Sequence, residues 1–295
     1  RLRSMDDMLQ MPGQGVDMSN PYQLPDGNVQ ISFSGGRTSA YMLHRILEAN
    51  GDLPDRCQVL FTNTGREMPE TLDFVQQCSE RWRVPITWLE YTRTETGPSY
   101  RVVNRDTASE NGEPFAELLR FKKYMPSPMK RFCTTELKML TIKRYVVKDL
   151  GWDRWTQAVG IRADEAQRAK TESKDRWSYW YPLINDMAVK TDVAEFWGKQ
   201  ALAFGFDLQL PNYQGKCPSG NCDFCFLKSE AVTAYMLRHH ADKAQWWIDI
   251  EKEMGFPFRL DRNLVELADL LDRQGDWLLD EEGFFCQADG GECTG

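Results

Sequence analysis

The chain has 295 residues, 41% of them hydrophobic, and a formal net charge of -8. That is enough apolar material for one large core, or a core with a small appendage, and too acidic a surface to grip nucleic acid without a local basic patch or a partner. No apolar run approaches the ~18 to 20 residues that span a bilayer, and the N-terminus lacks the regions of a secretory signal, so no membrane contact and a cytoplasmic home are expected.

Residues 1–28 show no clear period and are expected to form an extended or irregular N-terminal arm. Val29, Ile31 and Phe33 then alternate as a strand should, Ser34-Gly35-Gly36 permits a sharp turn close to a ligand, and Ala40, Leu43 and Leu47 mark one apolar face of a helix. A strand, a glycine turn and a helix N-terminus bring free N–H groups and the positive end of a helix dipole to one spot, which suits a phosphate. The spacing is neither G-x-x-x-x-G-K-[ST] nor G-x-G-x-x-G, and an ordinary tight turn is the alternative.

Gln58–Thr62 reads as a second strand, Pro69–Trp82 as a helix and Pro85–Tyr91 as a third strand. A strand about every 27 to 29 residues with helices between is the signature of right-handed crossovers in a parallel sheet. In such sheets ligands sit beyond the carboxyl ends of the strands, so Ser34-Gly35-Gly36 and Asn63-Thr64-Gly65-Arg66-Glu67 are expected on one rim. Residues 92–132, punctuated by Gly and Pro, read as a long connection carrying Arg120, Lys122, Lys123, Lys130 and Arg131: either a solvated face or a clamp for phosphate or sulfate. Thr134 or Thr135 is a candidate cap for a helix to about Leu150, with Cys133 just ahead of it, where the dipole favours a thiolate.

Trp155–Ile161 is expected to be a buried strand that delivers Arg162 and Arg168, flanking Asp164 and Glu165, to the rim; a surface salt-bridge cluster is the alternative. The aromatic stretch Tyr179-Trp180-Tyr181 suits a core, and Asp192-Val193-Ala194-Glu195 has the form of a capping box for a helix through Phe204.

Cys217, Cys222 and Cys225 place three thiols within nine residues of a loop containing Gly and Pro, and Cys133 is available as a fourth ligand from elsewhere in the fold. Four thiolates suit an iron-sulfur cluster or a structural zinc, and spacing alone leaves zinc and unmetallated thiols open. Cys286 and Cys293 lie in a Gly-rich C-terminus, as a frayed tail or as thiols brought to the site, while Cys57 and Cys78 suit the core. With three histidines and no hydrolase motif, the chemistry is expected to come from nucleotide, thiol or metal.

Taken in order, these segments resemble the phosphoadenosine phosphosulfate (PAPS) reductase family, within the N-type ATP pyrophosphatases. Ser34-Gly35-Gly36-Arg37-Thr38-Ser39 is similar to the family's pyrophosphate loop, Asn63-Thr64-Gly65 through Pro69-Glu70-Thr71 to its N-T-G-x-x-x-P-E-T segment, Arg131 through Lys138 to its R-x-C-T-x-x-L-K motif, and Gly160 through Arg168 to its G-x-R-x-x-E-x-x-R stretch. The resemblance implies an α/β fold with a doubly wound, mainly parallel sheet of the adenine nucleotide alpha hydrolase type over residues 29–210, followed by a cysteine-loop and helical region over 211–295. It implies ATP or PAPS as substrate on Ser34 to Ser39, Asn63, Thr64, Gly65 and Glu67, with Arg37, Arg162 and Arg168 as catalytic residues. Thr38 stands where many ATP pyrophosphatases have aspartate, which puts a magnesium ion in question.

One cysteine plus a trio looks like the DNA phosphorothioation ATP pyrophosphatases of the DndC and SspD type, which implies a 4Fe-4S cluster on Cys133, Cys217, Cys222 and Cys225 beside the nucleotide. The function implied is an ATP pyrophosphatase that adenylates an acceptor for sulfur transfer, with a cysteine desulfurase and a DNA-binding or nicking subunit as partners that supply the grip on DNA. The alternatives are a PAPS-type reductase that uses Cys293 to release sulfite, and a non-catalytic nucleotide or cluster sensor.

Overall fold

In the computed structural model, residues 20–211, 217–259 and 262–274 are described. Six strands form one sheet: β1 (Val29–Phe33), β2 (Cys57–Asn63), β3 (Ile86–Thr94), β4 (Gly97–Val103), β5 (Trp155–Ala158) and β6 (Trp177–Trp180). Their order is β4-β3-β2-β1-β5-β6, parallel throughout except for the β3–β4 hairpin. Covered on both faces, β1 and β2 are buried almost without interruption, as central parallel strands are. The chain lays down β1, β2 and β3 in one direction, then returns to place β5 on the other side of β1. That reversal opens a crevice beyond the carboxyl ends of β1 and β5, where doubly wound sheets bind ligands.

The helices are α1 (Arg37–Asn50), α2 (Pro69–Trp82), α3 (Glu113–Lys122), α4 (Leu140–Lys148), α5 (Pro182–Asn185), α6 (Lys190–Phe204), α7 (Glu230–His239), α8 (Ala241–Met254) and α9 (Leu264–Gln274). One hydrophobic cluster runs from Tyr22 through the sheet to Leu264, so the helices after the cysteine loop share the core of the sheet. Trp247 of α8 is its clearest link, stacked on Phe258 at 4.2 Å and edge-on to Phe115 of α3 at 5.2 Å. Of the arm expected over residues 1–28, positions 1–19 lie outside the described residues, whereas Tyr22 is buried and donates to Asp186 at 2.7 Å.

Three local expectations change. Residues 92–132 hold β4 and α3 instead of a long connection, because Pro98 falls on an edge strand and Pro114 in the first turn of a helix, where no N–H is missed. Neither Thr134 nor Thr135 caps a helix: Phe132 and Cys133 are already helical, and Thr134–Met139 is a π-helical stretch that runs into α4. The Thr141 hydroxyl donates to the Glu136 carbonyl at 2.8 Å, bonding a backbone oxygen of that widened turn. Asp192 lies inside the first turn of α6, where its carboxylate accepts from Val189 N at 2.7 Å.

Candidate functional site at the sheet crevice

The loop after β1 closes on itself through Ser39, whose hydroxyl accepts from Ser34 N at 3.1 Å and donates to Gly36 O at 3.0 Å. Gly35 has φ +80, and a Cβ there would lie 2.7 Å from Thr71 Cγ2, so only glycine lets the loop seat against the start of α2. Among the described residues no side chain caps α1. A helix start with no side-chain cap leaves its terminal N–H groups suited to an anion.

A cleft of about 640 Å³ stands over that turn. Ser34, Gly35, Gly36, Arg37 and Thr38 form its floor, Thr71 and Arg162 its near wall, Lys190, Val193 and Ala194 of α6 its far wall, and Leu208, Cys217, Gly220 and Asn221 close it. Among the described residues no Asp or Glu lines it. A second cavity, about 570 Å³, shares Ser34 and lies between the ends of β1, β2 and β5, bounded by Lys138, Met139 and Ile142.

The sequence-predicted residues divide. Arg162 is buried at the cleft wall, donating from Nη1 to Thr38 Oγ1 at 3.3 Å and from Nε to Asp164 at 3.0 Å. Arg168 pairs with Glu165 at 2.7 Å, so both readings of that segment hold in part: a salt-bridge cluster, with one arginine turned to the cleft. Arg37 is bound bidentately by Asp207 at 2.7 and 2.9 Å and donates to Leu208 O at 2.7 Å. Arg37, which also lines the cleft, thereby ties the 207–208 segment to the turn.

Asn63, Thr64, Gly65 and Glu67 line neither cavity. Asn63 accepts from Gly65 N at 3.0 Å and donates to Glu90 at 2.6 Å and Ser109 O at 2.8 Å, while Glu67 accepts from both Thr64 N and Thr64 Oγ1 at 2.8 Å. These polar atoms shape the loop, and of the same motif Thr71 lines the cleft.

That loop holds the cysteine segment. Arg66 and Asp223, both almost fully buried, form an ion pair, and the Asp223 carboxylate also accepts from Trp247 Nε1 at 2.6 Å and Phe224 N at 2.9 Å. Asp223 N donates to Arg66 O at 2.9 Å, and Thr64 Oγ1 meets Cys222 Sγ at 3.4 Å. Lys228, buried behind, donates to Pro218 O at 2.6 Å and Gly220 O at 2.7 Å. Burial pushes the Cys217 thiol above its ordinary value, opposed by the Lys228 and Arg37 charges and by the N–H groups of Gly220 and Ser219.

Cys133, Cys217, Cys222 and Cys225 are thiols that pack into or against the same hydrophobic cluster. By kind, four thiols suit a group held by thiolates. Among the described residues no three Cys, His, Asp or Glu side chains are gathered closely enough to hold a metal ion. Cys286, Cys293 and Lys216 lie outside the described residues. Sequence reasoning missed Lys190, Thr71 and the Arg66–Asp223 pair; only the P-E-T lettering around Thr71 carried a signal.

No helix among the described residues is long and apolar enough to cross a membrane. Compared with known proteins, the chain is 32% identical over 209 residues to the nin region protein ORF290 of Escherichia phage lambda, covering 68% of this chain and 66% of that protein. It is 37% identical over 73 residues to the phosphoadenosine 5'-phosphosulfate reductase of Shewanella oneidensis, covering 22% of this chain and 28% of the reductase. Among solved structures it is similar to the PAPS reductase of Candida auris in a phosphate complex (17% identity, 62% and 80% of the two chains, TM-score 0.39). It is likewise similar to the U34-tRNA thiolase NcsA of Methanococcus maripaludis with its 4Fe-4S cluster (14% identity, 84% and 82%, TM-score 0.39). The family model described as the phosphoadenosine phosphosulfate reductase domain matches residues 28–185, more than half of the chain, over the strands and loops that build the crevice. The chain belongs to the phosphoadenosine phosphosulfate reductase domain family.

Proposed function

We propose that the protein is an ATP pyrophosphatase that adenylates an acceptor oxygen for sulfur transfer, in DNA phosphorothioate modification. The observation that carries this reading is that Cys217 lines the same cleft as the Ser34–Thr38 turn, which brings sulfur chemistry to the phosphates of a bound nucleotide. The N–H groups at the start of α1 hold the pyrophosphate, with Lys190 supplying charge from the far wall. Arg162 faces the charge that develops as the acceptor oxygen attacks the α-phosphorus and pyrophosphate leaves. The acceptor then carries AMP, a better leaving group than hydroxide. The outer sulfur of a persulfide delivered by a partner cysteine desulfurase attacks the acceptor phosphorus, and AMP leaves with the adenylated oxygen. A thiol reductant then cleaves the resulting S–S bond to leave the sulfur on phosphorus.

Cys133, Cys217, Cys222 and Cys225 are the residues that would hold a 4Fe-4S cluster, which when bound offers iron to carry or position that sulfur. With no carboxylate in the described cleft lining, a magnesium ion would rest on the nucleotide's own phosphates and on hydroxyls such as Thr38. A DNA-binding or nicking subunit is the expected partner. The missing carboxylate also favours a second reading, a PAPS-type reductase, whose sulfonucleotide needs no protein-held metal.

The two separate in one experiment on anaerobically purified protein, with pyrophosphate release from ATP assayed beside sulfite release from PAPS and a dithiol reductant. Pyrophosphate that increases with an acceptor supports the first reading and sulfite the second. Neither product would leave a nucleotide or cluster sensor.

A further inference from the structure

Between α3 and the π-helical stretch runs Arg120-Phe121-Lys122-Lys123-Tyr124-Met125-Pro126-Ser127-Pro128-Met129-Lys130-Arg131-Phe132, with no acidic residue from Leu118 to Thr135, in a chain of net charge -8. Two of these charges are used within the protein: Arg120 pairs with Glu253 at 2.7 Å and Lys122 with Glu136 at 2.8 Å. Lys123, Lys130 and Arg131 are exposed, and no ion pair to a carboxylate is formed by them among the described residues.

Aromatic rings alternate with the cations. The Arg93 guanidinium lies 3.5 Å from the Phe121 ring centre, Lys122 is 5.9 Å from Phe132, Phe132 meets Tyr124 edge-on at 4.8 Å, and Lys130 is 5.7 Å from Tyr124. A tight turn holding Pro128 and Met129, just after Pro126, is closed by Ser127 N to Lys130 O at 3.3 Å and Lys130 N to Ser127 O at 3.0 Å. Its tip, Met129, is 88% exposed, beside Phe121 at 48% and Tyr124 at 38%. Large apolar groups gathered in water on one short segment mark a contact surface.

We propose that residues 121–132 form a docking platform for single-stranded nucleic acid. The cations match a phosphate backbone, and the ring faces match bases, which offer their own faces only when unpaired. Its place supports the assignment: Phe132 and Cys133 open the helix whose π-helical stretch lends Lys138 and Met139 to the cavity beside Ser34, so a strand on the platform is led toward the nucleotide. This inference rests on the reading of the acceptor as nucleic acid, and gives the chain a local grip of its own.

The test is fluorescence anisotropy of a labelled 20-nucleotide single strand with the full chain, across a salt series. Binding is expected to exceed that of the duplex of the same sequence. The K123A/K130A/R131A variant is expected to flatten the slope of log affinity against log salt by about 2, at roughly 0.7 for each phosphate left without its cation. Y124A/M129S is expected to weaken binding about tenfold or more while leaving the slope in place, at roughly 1 to 3 kcal/mol per stacked base. Undetectable binding at low salt, or triple-variant binding equal to that of the parent, would overturn the proposal. So would displacement by polyaspartate as effective as by the oligonucleotide, which would assign the patch to an acidic protein. Pyrophosphate release from ATP without nucleic acid, measured on the same preparations, keeps failure of the platform apart from failure of the enzymatic reading.

Discussion

Arg162 donates from Nη1 to the Thr38 hydroxyl at 3.3 Å, with both side chains buried at the cleft wall. Thr38→Val removes one neutral acceptor, worth about 1 kcal/mol, so nucleotide affinity is expected to fall less than about tenfold. Arg162→Ala removes the charge itself, and pyrophosphate release is expected to fall by about 10²–10³. Steady-state kinetics of the two variants check this; equal damage from both would assign the reacting groups to the Thr38 hydroxyl.

Gly35→Ala meets two obstacles, a positive φ and a methyl 2.7 Å from Thr71 Cγ2. Backbone strain alone costs about 1–2 kcal/mol, so ATP affinity measured by calorimetry is expected to drop by at least about tenfold. Adding Thr71→Ser removes Cγ2 and is expected to restore part of the loss, since the strain in φ stays. No recovery in the double variant would mean that the methyl clash is not the obstacle.

The Arg66–Asp223 pair joins the loop after β2 to the cysteine segment. Asp223→Asn leaves a buried guanidinium without its counter-charge, at a cost of about 3–5 kcal/mol. For a chain of this size that is on the order of 10 °C in Tm. An Arg66→Met/Asp223→Leu double variant is expected to regain much of it, because two apolar groups need no pairing. Thermal unfolding that leaves Asp223→Asn at the parent's Tm would refute the claim that this pair holds the segment.

Serine substitution of Cys133, Cys217, Cys222 or Cys225 is expected to abolish iron and acid-labile sulfide in anaerobic preparations, and the same change at Cys57 or Cys78 to leave both intact. Cys57 starts β2 and Cys78 sits inside α2, both buried in the core away from the 217–225 loop. Stoichiometric zinc without iron would discard the cluster.

Burial works to raise the Glu136 carboxyl, but hydrogen bonds and charge from Lys122 and Arg144 outweigh it and hold the group below its ordinary 4.5. A depressed carboxylate stabilises the fold fully at neutral pH, and that contribution disappears as pH falls through its folded value. Glu136→Gln is expected to lower Tm at pH 7 by an amount reflecting about 1 kcal/mol, with the gap to the parent narrowing as the pH is taken below the ordinary 4.5. A gap that does not narrow would refute the assignment.

The loop from β1 to α1 was legible because its signals are local: alternation, two glycines and a helical face within fifteen residues. The partners of Arg37 and Asn63 were not legible, because a motif letter does not say which way a side chain turns. Arg37 is claimed by Asp207, 170 positions away, and Asn63 by Glu90 on the next strand. Lys190 reaches the cleft only because α6 folds across it, which no spacing announces. Strand β4 and helix α3 were hidden by prolines that the fold accommodates at an edge and in a first turn.

The family match ends at residue 185, yet Lys190, Val193, Ala194, Leu208, Cys217, Gly220 and Asn221 supply the opposite wall of the cleft. On the proposed reading, phosphates seat on the turn within the matched segment while residues after it stand over them, so substitutions in that later stretch are expected to alter the chemistry and keep the seat.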